Sequence, residues 1–194
     1  YTNVWTYVLV IIALLISLII AFIGALFVIY VLGHARKNKG ELNKLNHWFA
    51  RDICLLGLHL LRVKVIVTGK ENIPKDHFVI ISNHQENYDI LILKTVFKVH
   101  IVNFIAKESL TKLPIFGRWI GALGNVFISK DADRSAAESI IKAIRNYKTG
   151  MSMGVFPEGK RSFGNEMIDF KPGAFKLAMK PKANILIATQ YNTC

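Results

Sequence analysis

The sequence predicts an α/β domain, a central and mostly parallel sheet flanked by helices, carried behind an N-terminal apolar membrane helix. Three observations lead there. Residues 4 to 33 are almost wholly apolar, and no Asp, Glu, Lys or Arg occurs before Arg36. Beyond residue 62, short apolar strands alternate with helical runs, the pattern of a sheet covered by helices. Polar residues able to do chemistry gather just after strands, the edge at which α/β sheets hold ligands.

The chain has 194 residues, enough for one domain with a full core and an appendage. We divide it into a membrane segment with a basic flank, 1–40, and an α/β domain, 41–194. It starts at Tyr1 and stops at Cys194 directly after an apolar run, so the reading is of a chain incomplete at its C-terminus. Two cysteines, Cys54 and Cys194, give neither a disulfide framework nor a metal spacing and fit a reducing compartment. The first segment exceeds the roughly 20 residues that cross a hydrocarbon layer. It reads as one tilted span or as a hairpin broken near Gly24, with Trp5, Tyr7 and Tyr30 near its ends as interfacial anchors. It is too long for a signal peptide, and no basic residue precedes it. Arg36, Lys37 and Lys39 follow, which places the later part on the cytoplasmic side and offers cations to anionic headgroups.

The elements then follow in order. Leu42, Leu45, Phe49, Ile53, Leu56 and Leu60 recur at helical steps, predicting a helix over 41–62. Residues 63–68 alternate weakly and read as a strand; Gly69, Ile73 and Pro74 punctuate a loop. A strand runs from Phe78 to Ser82, a helix from Ile90 to Phe97, and a strand over 100–106. Pro114 and Gly117 interrupt the chain before a short helix and a strand over 124–130. Residues 133–147 form a helix with Ala137, Ile140, Ile141, Ile144 and Tyr147 as its apolar stripe. A strand over 153–156, a helix over 171–179 starting near Pro172, and a strand over 185–189 complete the pattern.

The most informative stretch lies between the Phe78 strand and the Ile90 helix. It contains His84 and, five residues on, Asp89. On one helix these would point about 140° apart, so they meet only if His84 lies in the turn and Asp89 in the first helical turn. An aspartate there fixes the imidazole tautomer and makes His84 a usable general base. His47 and Asp52 share this spacing but fall within one helix, where they cannot pair. A second turn, Phe156-Pro-Glu158-Gly159-Lys160-Arg161-Ser162, mimics a nucleotide-binding P-loop, but Pro157 lacks an N–H, Glu158 opposes phosphate, and Arg161 replaces the magnesium-binding hydroxyl. It offers instead a carboxylate and two cations: Arg161 presents a planar fork to phosphate oxygens, and Glu158 can accept from a substrate hydroxyl or anchor Arg161. The net charge of +12 admits nucleic acid, anionic lipid or a phosphorylated substrate. Against nucleic acid stands that the aromatics are not interleaved with the cations as stacking platforms require.

These residues resemble the 1-acylglycerol-3-phosphate acyltransferases, the lysophosphatidic acid acyltransferases. Asn83-His84 through Asp89 looks like that family's first block, and Lys107 through Gly117, continuing to Gly124–Ile128, like its second. Phe156 through Ser162 looks like the third, and Phe170-Lys-Pro-Gly173-Ala-Phe175 like the segment after it. The turn Gly69–Pro74 also sits where the family has a similar one, and the resemblance spans Val63 to Leu186. It implies transfer of an acyl group from an acyl carrier protein or coenzyme A thioester to the hydroxyl of lysophosphatidate, giving phosphatidate. His84 and Asp89 would be catalytic. Arg161 with Glu158, Gly159 and Ser162 would position the glycerol phosphate, with Lys107 and Arg118 as further candidates. The thioester is a co-substrate; no bound cofactor or metal is expected. The expected partners are lysophosphatidate, the thioester, membrane phospholipid and, where it carries the acyl group, acyl carrier protein, with no nucleic acid. The sequence departs from the family at Lys130 and Lys160, where Arg and Thr are usual, and at Ala188, which stands in the slot of a proline. Two alternatives stay open: another acceptor, glycerol-3-phosphate or a different lysophospholipid, or a membrane-anchored basic protein that binds anionic lipid or nucleic acid.

Overall fold

A computed structural model describes residues 3–34, 44–129 and 133–193. Arg36, Lys37, Lys39, Leu42, Lys130 and Cys194 lie outside them. Helix α1, Val4–His34, is a single helix of 31 residues. Its stretch Val4–Ile29 has a mean hydropathy of 3.2, is exposed over most of its length, and is long and apolar enough to cross a membrane. The hairpin alternative does not form. Gly24 continues the helix, because one glycine costs only about 1 kcal/mol against an otherwise unbroken helical run.

The elements that follow are α2, Lys44–Leu60; β1, Val79–Ser82; α3, Tyr88–Val96; β2, Val102–Lys107; α4, Phe116–Ala122; and β3, Val126–Ile128. Then come α5, Asp133–Lys148; β4, Ser152–Val155; α6, Lys176–Met179; and β5, Ile185–Ala188. The five strands form one sheet in the order β3-β2-β4-β1-β5 with every pairing parallel. Alternating side chains send Val79, Ile81, Met153 and Val155 to one face, where Ala143 and Tyr147 of α5 and Leu177 of α6 cover them. Phe78, Ile80, Val102 and Phe104 point to the other, against Leu93 of α3 and Phe97. Gly154 leaves room there for Phe104, whose ring a Cβ on residue 154 would strike.

The chain steps from β1 to β2 to β3 in one direction and returns through β4 and β5 in the other. Crossovers of a single hand then put α3 on one face and α5 and α6 on the opposite face. β1 and β4 are neighbours whose following segments leave for opposite faces, so a crevice opens at their C-terminal ends. A smaller cluster ties the membrane helix to the domain: Ile29 of α1 packs with Ala50 of α2 and with Trp119 and Leu123. Trp119 also donates its indole N–H to Asn46 Oδ1 at 2.7 Å.

Four local expectations need correction. Residues 63–68 do not join the sheet as a strand, and the segment lies on the surface, with Ile66 78% exposed. In α2 the inward positions are Asn46, His47, Ala50 and Leu58, while the predicted Leu56 and Leu60 face outward. In α5, Ile141 is exposed and Ala143 buried, since 140, 143, 144 and 147 share one face at 3.6 residues per turn and 141 lies about 100° away. The expected helix over 171–179 splits into a 3-10 turn at Pro172–Phe175 and the short α6.

Candidate active site

β1 ends at Ser82, and the chain turns through Asn83 and His84 before α3 begins. Asp89, in the first turn of α3 and fully buried, folds back on that turn. Its Oδ2 accepts from His84 Nδ1 at 2.7 Å and from the backbone N–H groups of Gln85 and Glu86 at 2.6 and 2.9 Å. A carboxylate only accepts, so Nδ1 carries the proton and Nε2 keeps the lone pair. The outcome is an oriented imidazole whose basic nitrogen points away from its partner. By contrast Asp52 is exposed and pairs with Arg51, while His47 is buried, so the matching spacing in α2 yields no such pair.

The β4 loop holds this turn from below. The His84 ring stacks on Phe156 with centroids 4.2 Å apart, and Phe156 stacks on Phe104. His84 N–H donates to Glu158 Oε1 at 2.7 Å, and the His84 carbonyl accepts from Ser162 N–H at 2.8 Å. Phe163 N–H donates to the Gln85 carbonyl. Behind the turn, Asn83 and Gln190 exchange two bonds of 2.8 and 2.7 Å. Gln85, fully buried, reaches Asn165 with its amide N–H and accepts from Thr193 with its oxygen.

The predicted residues therefore divide. His84, Asp89, Glu158, Arg161 and Ser162 come together at the crevice between β1 and β4. Glu158 corrects its expected task. It is 1% exposed, and its second oxygen accepts from Ile168 N–H, so it faces the protein rather than a substrate hydroxyl. Nor does it anchor Arg161. That guanidinium donates to Glu86 Oε2 at 3.1 Å and lies 4.5 Å over the Phe163 ring. The pair is part-exposed and uses one of five guanidinium N–H groups, which leaves a fork for an anion. Ser162 donates its hydroxyl to the Gly164 carbonyl and acts as a staple between loops. Gly159, at φ +69°, makes the turn, and its N–H donates to the Phe156 carbonyl, which removes it from phosphate binding of the P-loop kind. Lys107 ends β2, two strands from β1 and so about 10 Å away, and Arg118 is exposed on α4.

Sequence reasoning missed Glu86, Gln85, Gln190 and Asn165. A polar residue just past the β5 strand was the available signal for Gln190; the others lie in loops without periodicity.

Comparison with known proteins bears on the same arrangement. A protein of Borreliella burgdorferi named 1-acyl-sn-glycerol-3-phosphate acyltransferase is 38% identical over 77% of this chain and 60% of its own length. A Saccharomyces cerevisiae protein of the same name is 34% identical over 69% of this chain and 45% of its own. The chain thus spans about 60% and 45% of those relatives. The crystal structure of PlsC, a 1-acyl-sn-glycerophosphate acyltransferase from Thermotoga maritima, superposes with a TM-score of 0.64 at 28% identity, over 87% of this chain and 68% of that one. Residues 64–189 match the model of the Acyltransferase family, from just before the Gly69 turn to just past β5. They take in the parallel sheet, the His84 turn and the Glu158 loop, and the chain belongs to that family.

Proposed function

We propose that this protein transfers an acyl group from an acyl thioester to the free hydroxyl of lysophosphatidate, giving phosphatidate, at the cytoplasmic face of a membrane. The observation that carries the reading is the His84–Asp89 pair, 2.7 Å apart at the switch-point crevice, with Arg161 tethered to the same turn through Glu86. The names of the relatives support the acceptor, and α1 supports the membrane setting.

The steps follow from the geometry. His84 Nε2 takes the proton as the acceptor oxygen attacks the thioester carbon. The carboxylate of Asp89 holds the tautomer and stabilises the imidazolium. The tetrahedral oxyanion collapses, the C–S bond breaks, and the imidazolium returns its proton to the departing thiolate. The acceptor is itself the nucleophile, so no acyl-enzyme forms. Glu158 acts on His84 through the backbone: a buried carboxylate on the His84 N–H fixes where the ring stands between Phe156 and Asp89. Arg161 would take the acceptor phosphate, either with its remaining N–H groups or by exchanging Glu86 for phosphate oxygens. The thioester, on coenzyme A or acyl carrier protein, is a co-substrate.

The test is phosphatidate formation by the detergent-purified protein supplied with lysophosphatidate and acyl thioesters. His84→Ala should lose at least ~100-fold in rate, the low end for a general base. Arg161→Ala should mainly raise KM for lysophosphatidate. Equal product from wild type and His84→Ala would discard the base assignment, and an unchanged KM in Arg161→Ala the phosphate assignment. Competition by glycerol-3-phosphate distinguishes the alternative acceptor.

A further inference from the structure

At the opposite end of the sheet from His84, the first two turns of α2 and the connection from α3 to β2 enclose a cleft of about 230 Å³. Lys44, Arg51, Lys94 and Lys98 line it, together with His47 and His100, and among the described residues that line it none is a carboxylate. Val102, at the start of β2, forms part of its wall and lies level with Ser152 at the start of β4. β1 pairs with β4 in the same register, so the cleft is roughly 15–20 Å along the strands from the His84 turn.

Lys44 and Lys98 are exposed, whereas Arg51 and Lys94 are held in place by the fold. Arg51 pairs with the exposed Asp52 at 2.9 Å and also reaches across to the Lys98 carbonyl, which holds its guanidinium over the α3–β2 connection. Lys94 sits in the last turn of α3 and donates to the Val102 carbonyl at 2.8 Å, one of the three bonds an ammonium can make. Burial holds its ammonium down to about 8, with the Cys54 thiol pulling weakly the other way. The carbonyl end of α3 accounts for one positive charge. It accounts for neither Lys44 nor Lys98, which share the concavity with two imidazoles, and Asp52 offsets only Arg51. An anion would relieve their mutual repulsion, and the N-terminal end of α2, a helix of 17 residues, adds a field of the right sign.

We propose that this cleft binds a phosphate group, at a site separate from the His84 crevice and independent of the acyl-transfer reading. Its chemistry suits the phosphate of an anionic lipid headgroup or free phosphate equally. Lys94 belongs to α3, the helix whose first turn carries Asp89, so an occupied cleft would brace the far end of the element that orients the base.

The experiment is calorimetric titration of the detergent-purified chain carrying Arg161→Ala, which removes the other expected phosphate contact. Inorganic phosphate and dihexanoyl phosphatidate are the two probes. The same titrations are run with Arg51→Ala and Lys98→Ala added together, and separately with Lys94→Met. Saturable binding of either probe that weakens tenfold or more on losing the cleft cations supports the site, as expected for charge-assisted hydrogen bonds. Binding of phosphate itself marks free phosphate as a competent ligand; binding of phosphatidate alone marks the lipid. Binding that is indifferent to all the cleft substitutions, or no binding of either probe, overturns the proposal. The doubly substituted variant keeps the test intact should Lys94→Met fail to fold, since Lys98 is exposed and Arg51 only half-buried.

Discussion

Asp89→Asn is the substitution for which the geometry makes the sharpest demand. In the wild type three donors converge on one carboxylate oxygen, Oδ2, while Oδ1 is buried with no hydrogen-bond partner. An amide oxygen at the Oδ2 position can keep all three bonds, so His84 retains its tautomer and the turn its shape. What is lost is the negative charge facing the imidazolium. At a separation of about 4 Å and an effective dielectric near 20, that attraction is worth about 4 kcal/mol. The amide dipole keeps part of it, so the expected fall in kcat is about 100- to 1,000-fold. This is less than the roughly 10⁴-fold seen where the same replacement imposes the wrong tautomer. The amide nitrogen meanwhile occupies the Oδ1 position and leaves buried N–H groups unpaired, which should cost about 1–3 kcal/mol of stability. The assay is initial-rate acyl transfer in detergent at saturating acceptor, beside the thermal midpoint of the same preparation. A kcat within about threefold of wild type, with the midpoint lowered, would refute the argument. The charge would then play no part in the step.

Further expectations concern the neighbouring groups. Glu86→Gln should release Arg161 and lower KM for lysophosphatidate by about two- to fivefold, the scale of a part-exposed ion pair; a raised KM would mean that Glu86 aligns the guanidinium instead. Glu158→Gln should lower kcat more than it raises KM, because the amide can accept from only one of the His84 and Ile168 N–H groups; a kcat left intact would separate Glu158 from His84. Lys94 gives a pH signature. Its folded value, about 8, lies below the ordinary 10.5, so the unfolded chain holds the extra proton between those pH values. Stability should therefore rise as pH increases from about 8 to 10.5, by on the order of 3 kcal/mol. The thermal midpoint of Lys94→Met should lack that rise, and an identical profile in both proteins would remove Lys94 as its source.

Several features were legible because their cause is local. The apolar run that becomes α1 needs no partner to be recognised, and one glycine does not interrupt it. The strand that ends at Ser82, followed at once by a helix, forces His84 into a turn and Asp89 into the first helical turn, where the side chains meet. Spacing alone was insufficient, as His47 and Asp52 show. Alternating strands and helices likewise fixed the α/β class, since period 2 and period 3.6 are properties of short windows.

The tertiary structure decided what depends on distant partners. Residues 63–68 alternate weakly, but they do not join the five-stranded sheet. Glu158 looks like a surface carboxylate in a basic turn until its bond to His84, 74 residues away, turns it inward. Arg161 finds Glu86 across 75 residues, and Asn83 finds Gln190 across 107. The basic cleft is assembled from α2 and the end of α3, each of which reads alone as a helix with ordinary charges. A sequence window reports the period and chemistry of a segment. Which side chains end up facing one another is set by strand order and crossover direction, and these follow from packing of the whole sheet.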